Sequence, residues 1–291
     1  MISGHTPVLV KEVIEMLNPT EGRTYIDATF GAGGYSRCIL EKAKCKVIGI
    51  DCDKETELYS NKLKEKYQDR FTFVKENFKN IDLVLQELKI QKVDGLVFDL
   101  GVSSMQLDNR ERGFSFLGDA PLDMRMDQEN IINAKILLNK FSQKELADTI
   151  YHLSGERKSR IIAENITNYR RNQEIETTEQ LVSAIGIKRY NGKIHFATRT
   201  FQALRICVNN ELENLKIVLD KIPNILNTGG IVTAVTFHSL EDKIVKNVFK
   251  KLSADKEFLL VNKKVITPSY NEIKLNRRSR SAKLRVIQKT L

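Results

Sequence analysis

The run Asp27-Ala-Thr-Phe-Gly31-Ala-Gly33-Gly34 narrows the possible folds of this 291-residue chain more than any other segment. An apolar stretch, Thr24-Tyr25-Ile26, leads into it, and a helix-like run, Ser36-Arg-Cys-Ile-Leu-Glu-Lys42, leads out. Strand, glycine turn and helix in that order aim backbone N–H groups and a helix N-terminus at a bound ligand. Glycine serves there because it has no Cβ to block close approach and reaches positive φ at little cost. A second apolar run, Lys46-Val-Ile-Gly-Ile-Asp51, ends in an acid about 20 residues past the turn, the place of a ribose-binding carboxylate. Either feature alone also fits a purely structural α/β turn; together they favour a nucleoside cofactor.

The dinucleotide fingerprint is G-x-G-x-x-G/A, and here Gly31 and Gly33 are followed by Ser36 in the third place. That departure, with the doubled Gly33-Gly34, suits S-adenosylmethionine better than NAD, because a cofactor without a pyrophosphate has less need of the third glycine. The partner class follows from charge. Lys and Arg number 47 against 37 Asp and Glu, and the net charge of +10 favours a polyanion. The apolar runs are too short and punctuated to span a bilayer. Lys11, Glu12 and Glu15 interrupt the first helical stretch, so no signal-peptide core is expected and a cytoplasmic location follows. Cys38, Cys45, Cys52 and Cys207 form no C-x-x-C pair and have no His at metal-ligand spacing, so reduced thiols and no metal site are expected.

The spacing predicts a helix opening after Thr6 with Pro7 in its first turn, then strands near 24–29, 46–50, 71–75 and 93–99 with helices between them. Four βα units in succession argue for a doubly wound α/β sheet. Residues 107–127 read as loop, and a long helical stretch without strand signals runs from Ile131 to about Leu212. Ser142-Gln-Lys-Glu145 is a capping box, and Thr177-Thr-Glu-Gln180 is another helix start. Strand patterning returns at 229–237, 258–266 and 282–288, so the sheet is split in sequence by a helical module.

These residues resemble the RsmH (MraW) family of bacterial methyltransferases acting on the small-subunit ribosomal RNA. The resemblance rests on His5-Thr-Pro-Val-Leu9, Tyr25–Gly34, Phe98-Asp-Leu-Gly-Val-Ser-Ser104, Glu111-Arg-Gly-Phe-Ser-Phe116, Pro121-Leu-Asp-Met-Arg-Met-Asp127, Ala197-Thr-Arg-Thr-Phe-Gln202 and Phe237-His-Ser-Leu-Glu-Asp242. It implies a class I (Rossmann-like) methyltransferase domain, 1–106 and 213–291, carrying an inserted all-helical substrate-recognition domain, 107–212. It implies methyl transfer from S-adenosylmethionine to the exocyclic N4 of one cytidine in the decoding region of 16S rRNA, near the P site. Carried across, Gly33, Gly34 and Tyr35 form the glycine turn, Asp51 holds the ribose, Phe78 lies along the adenine, and Asp99 and Gln106 complete the cofactor site. Two positions depart from the family: Tyr35 stands where His is usual, and Met105 where Pro is usual.

Cytosine N4 is a poor nucleophile, and an enzyme can help by accepting a hydrogen bond from the amino group and by aligning nitrogen, methyl and sulfur. Only the acid of the Asn/Asp-Pro-Pro-aromatic motif of many amino-methyltransferases is present, as Asp99. His238 and Ser239, just after the fifth candidate strand, are further candidates for orienting the base, although a His at a strand end also serves structure. A Ser-His-Asp hydrolase is excluded, because no G-x-S-x-G elbow exists in the chain. Basic residues in two acid-poor stretches are expected to contact RNA phosphates: Lys188, Arg189, Lys193, Arg199 and Arg205, and then Lys274, Arg277, Arg278, Arg280, Lys283, Arg285 and Lys289. A mobile clamp around 107–127, with Phe114 and Phe116 stacking on the target base, is a further expectation. The alternatives are an RNA-binding ribosome-assembly factor with a vestigial cofactor pocket, and methylation of DNA or of a small molecule. Oligomeric state is not legible in the sequence.

Overall fold

The computed structural model describes residues 7–186 and 195–291. It divides into two compact units, Met1–Gly101 with Leu212–Leu291, and Val102–Glu211. In the first unit, strands β1 (Thr24–Asp27), β2 (Lys46–Asp51), β3 (Phe71–Lys75), β4 (Val93–Asp99), β5 (Leu226–Thr236), β6 (Phe258–Leu260) and β7 (Lys283–Lys289) form one sheet. Their order is β3-β2-β1-β4-β5-β7-β6. The first five strands are mutually parallel, while β7 runs antiparallel to both β5 and β6.

The period-two alternation of each strand sorts its side chains onto two faces. Ile26, Ile48, Leu96, Phe98, Val232 and Ile287 pack with residues of α4 (Ile81–Glu87), α11 (Glu211–Ile225) and α12 (Ser239–Ala254). Tyr25, Val47, Val97, Val235 and Val286 pack instead with α1 (Val10–Leu17), α2 (Gly34–Lys42) and α3 (Glu57–Tyr67). Helices therefore cover both faces, and the middles of the central strands are largely apolar, as expected of parallel strands buried on two sides.

The second unit is helical, built from α5 (Ser104–Asp108), α6 (Ala134–Lys140), α7 (Gln143–Ser154), α8 (Ser159–Arg170), α9 (Thr178–Ile185) and α10 (Thr198–Val208) around a core of Leu138, Leu146, Ile150, Ile162, Ile166 and Leu204. Both capping boxes read from sequence form: Ser142 with Glu145 opens α7, and Thr177 with Gln180 opens α9.

Three local expectations are corrected. The first helix begins at Val10, because Leu9 adopts φ +54° while Glu272 Oε1 accepts from its N–H at 2.7 Å. The strand run 258–266 pairs only over Phe258–Leu260, with Ile266 returning as a single bridge to Leu284. The 107–127 segment is no free clamp within its unit. The buried Arg112 donates to the carbonyls of Arg125 and Met126, Asn209 bonds Met126 N–H and Met124 carbonyl, and Leu122 N–H donates to Glu176 carbonyl. Its Gly113, at φ +70°, leaves no room for a Cβ, which would lie 2.3 Å from Pro121 carbonyl oxygen.

Candidate cofactor site

The carboxyl edge of the parallel strands holds the residues singled out by sequence in the first unit. Asp27 ends β1 fully buried, and its Oδ2 accepts from Ser36 N–H (3.0 Å) and from Ser36 Oγ–H (2.8 Å). Ser36 N–H is one of the orphan donors of the first turn of α2, so Asp27 satisfies the helix end and fixes the loop between them. Ser36 occupies the third-glycine place for this reason: its hydroxyl completes the hold on Asp27.

Within the turn, Gly31 and Gly33 have φ of +52° and +74°. A Cβ on Gly33 would lie 2.8 Å from the Phe30 ring, and one on Gly34 would lie 2.3 Å from Pro7 Cγ. Glycine is thus required by conformation at Gly33 and by the rigid proline ring at Gly34. Tyr35 turns its side chain away into the core, where its hydroxyl donates to Val8 carbonyl. Burial, then the nearby charges of Asp99 and Asp27, push its phenol well above the usual tyrosine range. Only its backbone is left to face a ligand, as a contact that tolerates the usual His requires.

Asp51, at the end of β2, accepts from Gly31 N–H at 2.7 Å through Oδ2 and from Asp53 N–H at 2.9 Å through Oδ1. Each oxygen keeps a second lone pair for a ligand hydroxyl. Burial raises its carboxyl to about 6 in spite of these two donors. Asp27 is likewise raised by burial to about 6, opposed by its bonds from Ser36. Asp99, at the tip of β4, is pushed well above the carboxylate range by burial and by the charges of Asp27 and Glu241. Its N–H donates to Thr29 Oγ1 at 2.6 Å. Among the described residues, Asp99 Oδ1 and Asp27 Oδ1 are buried without a hydrogen-bond partner. The edge therefore gathers acids, with the charge of Asp27 raising both Asp51 and Asp99, and among the described residues no cation offsets them.

Phe78 follows β3 in a 3₁₀ turn, half-buried against the sheet core, its ring edge-on to Phe98 at 6.1 Å. It stands close to β2 along the chain path, since Glu76 N–H donates to Asp51 carbonyl at 3.0 Å. Gln106 belongs to the second unit, where it closes a capping box with Ser103 at the start of α5. His238 caps α12: its Nδ1 accepts from Glu241 N–H, and Nε2 stands 3.0 Å from Glu241 Oε1. Glu241 in turn accepts from Phe237 N–H at 2.8 Å. Sequence reasoning gave no role to Asp27, Thr29, Ser36 or Glu241. The signal for Glu241 was the H-x-x-E spacing of a capping box, and for Ser36 its place nine residues after Asp27.

The basic stretches are corrected in part. Arg205 is held by both oxygens of Glu211 at 2.8 Å, and Arg199 lies 3.5 Å from Glu156. Lys283 and Arg285 both bond Asp242, and Lys289 donates to the carbonyls of Pro223 and Leu226. Lys188, Arg189 and Lys193 lie outside the described residues, as do His5 and Thr6. Phe114 is a core residue of the helical unit, and Phe116 is taken up by His195, stacked at 4.6 Å, and by Phe201.

A parallel sheet in this order with an antiparallel seventh strand, and a glycine turn and acids at its carboxyl edge, is a class I methyltransferase fold. The chain belongs to the MraW methylase family, whose model matches residues 2–290. Ribosomal RNA small subunit methyltransferase H of Wolbachia sp. subsp. Drosophila simulans (strain wRi) is 51% identical over 289 residues, covering 98% of this chain and 99% of that protein. The protein of the same name from Ehrlichia canis (strain Jake) is 48% identical over 295 residues, with the same coverage of both. Among solved structures, NSun6 from Pyrococcus horikoshii aligns at a TM-score of 0.48 and 12% identity over 98% of this chain and 53% of that one, a likeness too distant to carry weight.

Proposed function

We propose that this chain is an S-adenosylmethionine-dependent methyltransferase that modifies the exocyclic N4 of a cytidine in the decoding region of 16S rRNA, at the P site. The observation that carries the cofactor reading is the set of three acids, Asp27, Asp51 and Asp99, around one glycine turn, two of them with an unpartnered buried oxygen. S-adenosylmethionine fits that site chemically: it has two ribose hydroxyls to donate, and a sulfonium and an ammonium to supply the missing positive charge. It brings the activated methyl group.

The protein's part is to hold and to orient. The remaining lone pairs of Asp51 accept from the two ribose hydroxyls, and the Gly33–Tyr35 backbone lets the ligand approach without a Cβ in the way. Phe78 offers an apolar wall for the adenine. A cationic ligand offsets the burial that holds Asp99 protonated, and the ionised carboxylate at the tip of β4 then accepts from an amino N–H, which makes the nitrogen a better nucleophile. Gln106 and the helical unit are assigned to the cofactor and to substrate recognition on the family resemblance. His238 is assigned to the helix cap rather than to catalysis.

The ribosomal RNA substrate draws support from the names of the relatives and from the net charge of +10. Among the described residues no helix is long and apolar enough to cross a membrane. The test is methyl transfer from isotope-labelled S-adenosylmethionine to small ribosomal subunits, naked 16S rRNA and duplex DNA in parallel. Label in ribosomal RNA supports the reading. Label in DNA alone, or none in any substrate, overturns it in favour of another acceptor or of an RNA-binding assembly factor.

A further inference from the structure

Of the seven basic residues after Glu272, Lys283 and Arg285 are bonded to Asp242, and Lys289 to the carbonyls of Pro223 and Leu226. The other four, Lys274, Arg277, Arg278 and Arg280, fall in one short segment: α13 (Tyr270–Leu275) and the 3₁₀ turn Arg277–Ser281. All four are exposed, and no acid follows Glu272 to the end of the chain. Glu272 itself turns inward to Leu9 N–H. The same segment displays Tyr270, 81% exposed, and Leu275, 89% exposed. Aromatic and apolar groups held that far into solvent beside a row of cations make the surface that single-stranded nucleic acid uses, with phosphates on the charges and a base on the ring.

The segment is also built to hold its shape. Ser269 caps α13 by accepting from Glu272 N–H at 3.2 Å. Ser279 is fully buried, and its hydroxyl donates to Asn276 carbonyl at 2.7 Å. Asn276 Oδ1 accepts from Arg278 N–H at 3.1 Å, and Ala282 N–H closes onto Ser279 carbonyl at 2.8 Å. Anchoring the turn by its one buried residue leaves the flanking Arg277 and Arg280 directed outward, so few backbone degrees of freedom remain to be lost on binding.

We propose that Tyr270–Arg280 is an RNA-docking surface of the methyltransferase unit, in which Lys274, Arg277 and Arg280 contact the phosphates of a single-stranded segment and Tyr270 stacks on one of its bases. The proposal rests on the ribosomal RNA substrate proposed above. A partner without a run of negative charge would leave the concentration of cations unexplained, whereas the phosphates of a polyanion use Lys274, Arg277 and Arg280 together.

The test uses the full-length protein and a fluorescein-labelled single-stranded RNA with the decoding-region sequence, titrated at several salt concentrations. The triple variant K274Q/R277Q/R280Q is expected to lower the slope of log affinity against log salt by about 2, and to weaken binding about 50-fold near ~0.15 M salt, if each cation releases one counterion. Tyr270→Ala is expected to weaken binding about 5- to 150-fold with the slope unchanged, the range for loss of one base stack. K243Q/K246Q/K250Q, which removes three exposed charges from α12, is the charge-matched control and should retain most of the affinity. Calorimetric binding of S-adenosylmethionine should be unchanged in every variant, which shows them folded. Wild-type salt slope in the K274Q/R277Q/R280Q protein, or equal losses in it and in the α12 control, overturns the proposal. Labelled methyl transfer by wild-type protein to small subunits, run alongside, separates the two readings: if transfer occurs while the patch variants bind as wild type, the docking surface is wrong and the function stands.

Discussion

Asp51 is the proposed ribose ligand, so its carboxyl ties the protonation of the site to the affinity for S-adenosylmethionine. With the group raised to about 6 by burial, it is about nine-tenths ionised at pH 7 and about one-tenth at pH 5. Only the ionised form offers both oxygens as acceptors to the ribose hydroxyls. The apparent affinity for S-adenosylmethionine should therefore fall about tenfold between pH 7 and pH 5 from this residue alone. Asp27, also raised to about 6, adds to the loss as its protonation weakens its hold on Ser36. Binding near pH 6 should expel about half a proton from Asp51, visible in calorimetry as an enthalpy that changes with the ionisation enthalpy of the buffer, and this share should be gone at pH 8 and in Asp51→Asn. The sign for folding is opposite to that of an ordinary salt-bridged carboxylate. Between 3.8 and about 6 the folded chain binds protons more tightly than the unfolded one, so the cofactor-free protein should lose stability as pH rises through that window. Asp51→Asn should weaken binding at pH 7 and flatten the Asp51 share of the pH profile. Affinity that is level from pH 5 to pH 8, or a profile in Asp51→Asn as steep as in wild type, would refute the argument.

Two further outcomes follow from the glycine turn and the helix cap. Gly34→Ala puts a Cβ against the Pro7 ring and should cost about 1–3 kcal/mol of stability in chemical denaturation together with weaker cofactor binding; an unaltered midpoint and affinity would show that the N-terminal segment yields. His238→Ala should cost about 1 kcal/mol of stability through the lost cap, and His238→Asn, a good capping residue, should restore it. Both should keep kcat within a few-fold of wild type, whereas a hundredfold fall in both would place His238 at the reaction.

What the sequence revealed of the site was its locally determined part. A strand, Gly31 and Gly33 at positive φ, and a helix start leave their mark in adjacent residues, and the acids at the ends of β2 and β4 follow runs whose apolar character identifies buried parallel strands. The contacts that were illegible join residues far apart in the chain. Leu9 takes up its left-handed conformation with Glu272, which is 263 positions away, so helical periodicity alone placed the start of α1 too early. Lys283 and Arg285 looked like free cations until Asp242, 41 and 43 residues earlier, was found between them. Residues 107–127 have the composition of a loose loop because their order comes from Asn209 and Glu176 rather than from repeating backbone bonds. The role of Tyr35 was undecidable for the same reason: whether its ring faces ligand or core depends on Val8, which it meets only in the fold.

The measurement that bears most directly on the proposed activity is nucleoside mass spectrometry of small-subunit RNA after incubation of the purified protein with deuterium-methyl S-adenosylmethionine. The subunits should come from cells that lack the modification. Labelled N4-methylcytidine is expected at a single position in the decoding region, and is lost when Asp99 is replaced by Ala. Label on another nucleoside, or in no nucleoside while S-adenosylmethionine still binds, would contradict the proposed activity.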